Sequence, residues 1–437
     1  MRRKLLIFSF LSLAIPGLSQ DVQDNLVLLA RIREHVGKQI THLENYTCLQ
    51  TSRRYRLQGR NEKKKHRIES AEMLTLEVAH VGEKELFAWP GAGRFEDRQA
   101  SEIVAGGLTD TGTFSLFARS LFQPRPPAAI RYFGQEECQG RDAVRYDFSV
   151  SRLFSGYTIR SSIGSAEVPY SGSFWAYPDT LDLCRLTVRA EEVPDSLKLA
   201  GVQTVIDYGE VQIGASRLRL PQAAETTMTF LSGDISQNLT DFTHCRRYAA
   251  DSSILFDTEQ EQPNSPPTQV ETVTLPAGLV VPVQLMTTID SQSARVGDAI
   301  SARVESDVNA RHQTWLPSGA MLNGRIRRLE QFSSPTRSVL LGLEFTDFSY
   351  DGRRGLFLAD FQRSDARIDT ETALKAPSAN TNYTTLLYFG VLVGTEIEQF
   401  TNLELPGVVM FHFPGKTARL PAGTEMIWKT KELSSKR

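Results

Sequence analysis

A mainly β fold in two parts follows from three features of the sequence. Apolar and polar residues alternate over many short segments, as where Val144, Tyr146, Phe148 and Val150 are separated by Arg145, Asp147 and Ser149. This is the period of half-buried antiparallel strands. A Leu-Pro-x-Gly turn recurs at residues 275–278, 316–319 and 420–423 and feeds an apolar run each time; its proline presets the first turn angle and its glycine accepts a positive φ. Residues 257–272 hold three prolines and few apolar side chains, too few for burial to offset the entropy of ordering them. We read this stretch as a linker between a first domain, 20–256, and a second, 273–437.

With 437 residues the chain is long enough for more than one core. A formal net charge of −2 with 23% charged residues gives no overall electrostatic reason to expect nucleic acid. At the start, Arg2, Arg3 and Lys4 precede an apolar run from Leu5 to Ile15, then Pro16, Gly17 and Ser19. This pattern predicts a secretory signal peptide over residues 1–19, too short to span a bilayer. No later run predicts a transmembrane segment, since the apolar stretch from Leu386 to Gly394 is shorter still. A periplasmic or secreted protein is expected, in which disulfides persist. All four cysteines precede the linker, and sequence alone allows three pairings. We favour Cys138 with Cys184, both in strand-like segments, and Cys48 with Cys245, which mark the two ends of the first domain.

In the first domain Leu26, Leu29, Ile32, Val36, Ile40 and Leu43 recur every three or four residues among charged ones, predicting an amphipathic helix with one face to bury. Strands are expected over Tyr46–Tyr55 and Met73–Val81, joined by a loop with a basic run from Arg60 to Arg67. That run suits anionic headgroups or a solvated hairpin tip, and lacks the interleaved aromatics of a nucleic-acid site. Asp110-Thr111-Gly112 is the triplet of aspartic proteases, but no second copy exists to share a proton. Thr111 or Thr113 reads better as the cap of a helix carrying Phe114, Phe117 and Leu121, ended by Pro124, Pro126 and Pro127. Further strands follow at Val144–Val150, Gly172–Ala176, Leu186–Ala190, Val205–Tyr208 and Thr226–Phe230. A large antiparallel sheet with two substantial helices results.

This order of elements resembles the periplasmic lipoprotein-carrier superfamily, the LolA, LolB and MucB/RseB-like proteins. The likeness is carried by the helix Leu26–Leu43 leading into the strand at Tyr46–Gln50, by Tyr177-Pro178-Asp179 before Leu186-Thr187-Val188, and by Val205–Tyr208 running to Leu220-Pro221. It implies a half-barrel of antiparallel strands with covering helices and an apolar cavity for acyl chains or a partner peptide. Phe114, Phe117, Leu121, Tyr146, Phe148, Phe174 and Trp175 would then line that cavity.

Beyond the linker, strands are expected at Val280–Leu285, Ala299–Glu305, Met321–Arg327, Val339–Phe345 and Met426–Lys429. Asp351-Gly352 marks a hairpin. A small β-barrel or sandwich follows. The run from Leu275 through Ile289-Asp290, Gly297-Asp298, Asp307-Val308 and Leu316-Pro317-Ser318-Gly319 to Gly324 resembles the opening half of the TrbI-like β-barrel domain of conjugation and type IV secretion channels. That resemblance implies a partner in the envelope. Residues 361–383 are polar and read as an exposed loop.

None of the seven histidines forms a metal-spaced pair. There is no Gly-x-Ser-x-Gly elbow, phosphate loop or His-Glu-x-x-His, so no cofactor, metal or catalytic residue is assigned. The leading expectation is an exported, non-enzymatic envelope protein holding an apolar ligand, a lipid or a lipidated protein, in its first domain. The alternatives are an envelope scaffold whose cavity is filled by its own side chains, and a hydrolase with a dispersed site.

Overall fold

The computed structural model describes residues 17–43, 45–59, 67–82, 84–92, 95, 103–104, 116–122, 128–161, 164–214, 216–248, 271–364, 398–401 and 407–432. Outside these lie residues 1–16 of the expected signal peptide, the basic residues 60–66, the Asp110-Thr111-Gly112 triplet, linker residues 257–270 and most of the 361–383 loop.

Mostly β structure is what forms. In the first part, helix α1 (Gly17–Thr41) precedes β1 (Tyr46–Gln58), β2 (Arg67–Val81) and β3 (Lys84–Ala88). Helix α2 (Leu116–Phe122) leads to β4 (Ala128–Cys138) and β5 (Arg141–Val150), and α3 (Arg152–Ser155) to β6 (Thr158–Ser161) and β7 (Gly164–Glu167). Then come β8 (Tyr170–Ala176), β9 (Leu183–Ala190), β10 (Leu199–Ile213), β11 (Ser216–Phe230) and β12 (Ile235–Arg247). Apart from the β6–β7 hairpin, these strands pair antiparallel in the order β4-β5-β8-β9-β10-β11-β12-β1-β2-β3. No pairing joins β3 to β4 among the described residues, so the sheet is a half-barrel. In β9, Leu186, Val188 and Ala190 are buried while Arg185, Thr187 and Arg189 point the other way, as the two-residue period requires.

The expected helix over Leu26–Leu43 is in place and begins earlier, at Gly17. The sequence predicts strand character around Cys138 but not the full length of β4, and it does not predict β12. The expected strands at β2, β5 and β11 are longer than their alternating centres. Pro221 lies inside β11, where β10 has a register irregularity between Asp207 and Tyr208 that relieves the missing N–H.

The second part contains β13 (Glu271–Thr272), β14 (Val280–Leu285), β15 (Ile289–Asp290), β16 (Ala299–Val304), β17 (Val308–Ala310), β18 (Gln313–Leu316), β19 (Met321–Phe332) and β20 (Ser338–Tyr350). It continues with β21 (Arg353–Leu356), β22 (Ala359–Ser364), β23 (Glu398–Thr401), β24 (Val409–Pro414), β25 (Arg419–Leu420) and β26 (Glu425–Thr430). Neighbours run β22-β26-β14-β16-β19-β20-β24-β23, all antiparallel. The glycines of the three repeated turns, Gly278, Gly319 and Gly423, all have φ near +90°, where a side chain would be strained. Asp351 and Gly352, both at positive φ, close the expected β20–β21 hairpin.

The two parts meet along β2. Residues Ser70, Ala71 and Glu72 pair with Phe332, Gln331 and Glu330 of β19, and Thr75 and Val296 share a backbone bond nearby. Buried apolar residues of both parts form one contiguous cluster. Four charges, three of them buried and Glu72 mostly so, sit at this seam. Arg54 pairs with Glu72 at 3.1 Å, and Arg328 with Glu330 at 2.7 Å. The Ser70 hydroxyl donates to Glu330 at 2.6 Å. Burial pushes the Glu72 carboxyl up despite Arg54. Burial also acts on Glu330, but Arg328 and Ser70 outweigh it and hold that carboxyl below its ordinary range.

The disulfides join Cys48 to Cys245 and Cys138 to Cys184, the pairing favoured from their positions. The first ties β1 to the end of β12, 197 residues away. Replacing both of its cysteines with serine should lower the unfolding free energy by about 2–4 kcal/mol, read from urea midpoints. The buried Cys138–Cys184 bridge should resist mild reductant longer than the bridge at half-buried Cys245.

Two histidines are buried and neutral. His80 is pushed down to about 4 by burial, with the Arg119 charge adding to it. Burial alone does the same to His412, whose two ring nitrogens have no hydrogen-bond partner among the described residues. Unfolded, each takes up a proton near pH 6.5. Stability contributed by the neutral rings is therefore complete above that pH and declines as pH falls toward 4, by up to about 1.4 kcal/mol per pH unit per histidine. His412→Leu should flatten this slope in chemical unfolding measured from pH 7 to 4. It should not lower stability at pH 7, because it removes unsatisfied buried polar atoms.

Candidate ligand-binding site

The half-barrel has one apolar face, and α1 and α2 cover it. Leu29, Ile32 and Val36 of α1 are buried against the sheet, as are Phe117, Ala118, Leu121 and Phe122 of α2. Phe122 meets Phe174 edge-on at 5.1 Å, and Tyr146 stacks on Phe174 at 5.3 Å. Phe117 packs edge-on against Tyr157 at 5.1 Å, and Phe148 lies edge-on to Tyr170 at 6.2 Å. Such pairs add about 0.5–1.5 kcal/mol each beyond area burial.

These contacts fix where the expected lining residues sit. Phe117, Leu121, Tyr146, Phe148 and Phe174 are brought together as a packed layer between helices and sheet. Phe114 lies outside the described residues. Trp175, next to Phe174 along β8, faces the opposite side, where its indole N–H donates to Glu136 at 2.7 Å and Arg145 lies over its ring. Adjacent residues of a strand point to opposite faces, so only Phe174 of this pair meets the helices.

A small set of polar contacts holds the helices. The Tyr146 hydroxyl donates to the Asn25 carbonyl at 3.0 Å. Gln39 donates to Asp182 at 3.0 Å, and the His35 ring lies at the same distance from that carboxylate. Burial pushes Asp182 up, but the hydrogen bonds from His35, Gln39 and Thr180 outweigh it and leave the carboxyl below its ordinary range. On α2, Arg119 donates to the Gly82 carbonyl at 2.7 Å and lies 3.2 Å from the His80 ring. Ser120 and Tyr170 share a hydroxyl pair at 2.7 Å.

Open space remains beside the C-terminal half of α1. A cleft of about 160 Å³ is walled by Val36, Ile40, Leu43, Ala118, Leu183 and Leu218. Gln39, His42, Arg217 and Arg219 also border it. The Tyr208 hydroxyl, which belongs to a residue lining the cleft, is buried and makes no hydrogen bond among the described residues. Burial raises its pKa far above the ordinary phenol, with Glu85 adding to the effect. Arg219 is fixed by donating to the carbonyls of Leu183 and Tyr208 at 2.9 and 3.0 Å. Sequence reading missed this cleft because its walls come from α1, α2, β9, β10 and β11, and no local pattern links them. Chemically it accepts a small apolar group. No cluster of His, Cys, Asp or Glu suited to a metal ion occurs among the described residues.

No protein-family model matches the chain, and no curated protein does. Among solved structures, it is similar to a DUF1329 family protein from Desulfovibrio piger at 10% identity and a TM-score of 0.25, over 52% of this chain and 94% of that one. It is also similar to a putative outer membrane lipoprotein-sorting protein domain from Vibrio parahaemolyticus at 12% identity and a TM-score of 0.27, with the same coverage. At superposition scores this low, neither likeness adds to what the geometry shows.

The two covering helices touch at Gly37, where a Cβ would stand 2.6 Å from the Phe122 carbonyl oxygen. Helix propensity alone favours alanine there by about 1 kcal/mol. The collision with backbone reverses the sign, since overpacking costs about 1–3 kcal/mol. Gly37→Ala should therefore destabilise the protein, with a lower urea midpoint and faster amide exchange in residues 116–122.

Proposed function

We propose that this is an exported, non-enzymatic binding protein of the cell envelope that holds an apolar group, an acyl chain or the lipid of a lipidated partner, between α1 and the half-barrel. The observation that carries this reading is the cleft beside α1, walled by Val36, Ile40, Leu43, Ala118, Leu183 and Leu218. A space of about 150 Å³ is large enough for a benzene-sized group. A longer chain requires α1 to lift, which would break its bonds at Asn25, His35 and Gln39. The two disulfides agree with an extracytoplasmic site of action.

A second reading, an envelope scaffold whose concave face is filled by its own side chains, is favoured by the packed layer of Phe117, Leu121, Tyr146, Phe148 and Phe174. In both readings residues 273–437 form an accessory barrel domain that meets a protein partner in the envelope, after the linker at 257–272.

Displacement of a fluorescent fatty acid separates the two. The wild type should bind saturably in the micromolar range, and Ile40→Trp, which fills the cleft, should weaken binding roughly tenfold. Native mass spectrometry of freshly purified protein should show lipid as added mass. Absence of both displacement and added mass would remove the ligand reading and leave the scaffold.

A further inference from the structure

Trp175, expected in the cavity, lies on the outer face of the half-barrel and borders a second space there. Strand pairing across β5, β8, β9 and β10 arranges the outward side chains of this face in rows. Arg145, Trp175 and Arg185 stand side by side in one row, and Asp147, Ser173 and Thr187 in the next. Ser171, Arg189 and Gln203 follow in a third. The middle row has short side chains, whereas its neighbours carry Arg145, Trp175, Arg189 and Gln203. A groove of about 340 Å³ therefore crosses the strands between them. Four residues of strand, about 13 Å, separate the Trp175 row from the Ser171 row.

This groove is rigid and polar. All of its lining residues belong to strands, and their side chains hold one another in place. The Ser173 hydroxyl donates to Asp147 at 2.7 Å, while the Arg145 guanidinium donates to Asp147 at 3.0 Å and to Glu136 at 3.1 Å. The Thr187 hydroxyl accepts from the Ser173 amide at 3.0 Å. On the far side Arg189 donates to Glu191 at 3.0 Å and to Ser171 at 3.3 Å. Side chains locked in this way are set in position before a ligand arrives.

The charge balance selects the ligand. Arg131 and Arg145 pair with Asp147, Arg145 also with Glu136, Arg185 with Asp207 and Arg189 with Glu191. Four arginines thus meet four carboxylates, and an ionic ligand would have to break a pair already made. An apolar ligand would strip water from these groups without replacing its hydrogen bonds. A neutral molecule dense in hydroxyls does neither. Each hydroxyl both donates and accepts, which suits the spare carboxylate lone pairs and guanidinium protons of the ion pairs. The exposed Gln203 amide adds a donor and an acceptor. Beside them the Trp175 ring offers a flat apolar surface whose negative face attracts C–H bonds. A sugar ring has this combination, with hydroxyls around its edge and C–H bonds on its faces.

We propose that the outer groove between Trp175 and Arg189 binds a sugar ring of a neutral oligosaccharide. The proposal is independent of the ligand cleft, which lies under α1 on the opposite face of the sheet. Isothermal titration of the full chain tests it, with chitotetraose and cellotetraose as neutral probes and tetragalacturonate and deacetylated chitotetraose as charged ones. At least one neutral probe should bind with a Kd below about 1 mM, and which of the two it is separates an acetamido glycan from a plain glucan. Both charged probes should bind at least roughly tenfold more weakly. Trp175→Ala should weaken binding of the neutral probe roughly tenfold. Trp175 also packs on the small core around the Cys138–Cys184 bridge, so a second variant guards against misfolding. Arg189→Ala/Gln203→Ala removes two exposed side chains from the other wall and should weaken binding to a similar extent with an unchanged urea midpoint. The proposal is overturned if neither neutral probe binds, if a charged probe binds as tightly as the neutral ones, or if the double variant binds the neutral probe as the wild type does.

Discussion

A curved sheet with one apolar face has to be covered. In this protein α1 and α2 supply the cover over the half-barrel, and both the packing of the first part and its proposed binding depend on that contact. Leu29, Ile32 and Val36 bury against the strands from above, Tyr146, Phe148 and Phe174 from below, and α2 inserts Phe117, Leu121 and Phe122 between them. Each large apolar side chain taken out of water contributes about 1.5–3 kcal/mol, so the helices are held mainly by burial. The few polar contacts at Asn25, Asp182, Gly82 and Tyr170 set their angle more than their affinity. An apolar ligand would compete for the same surface that holds α1 in place, and this links the fold to the proposed binding.

The seam between the two parts works by a different principle. Three residue pairs between β2 and β19 give little stability alone, but they carry Arg54, Glu72, Arg328 and Glu330 into a buried site. Buried ion pairs often contribute little net stability, whereas losing one partner is severe. A slip of one residue between β2 and β19 would turn Glu330 away from the Ser70 hydroxyl, while Arg328, two residues along the same strand, would stay beside it. The Ser70–Glu330 bond thus acts on register, while the apolar contacts around it supply the adhesion.

Antiparallel pairing sends every second connection to the same end, so the β9–β10, β11–β12 and β1–β2 connections gather at one end of the sheet. The β10–β11 turn and the C-terminus of α1 gather at the other, beside the cleft.

Local features were legible in the sequence wherever the physics is local. The two-residue alternation marked β5, β9 and β11, the helical spacing marked α1, the three Leu-Pro-x-Gly turns foretold the positive φ of Gly278, Gly319 and Gly423, and Asp351-Gly352 foretold a hairpin. Cysteine position favoured the pairing that forms. What the sequence could not reveal depends on which distant residues meet. The adjacent aromatics of β8 did not say that Phe174, and not Trp175, would face the helices. The packed aromatic layer, the cleft with Tyr208 among its lining residues, and the junction of β2 with β19 each combine residues from several elements. Burial and pairing across such separations are decided only when the sheet closes on its helices, because the free energy of each contact depends on partners that no local pattern specifies.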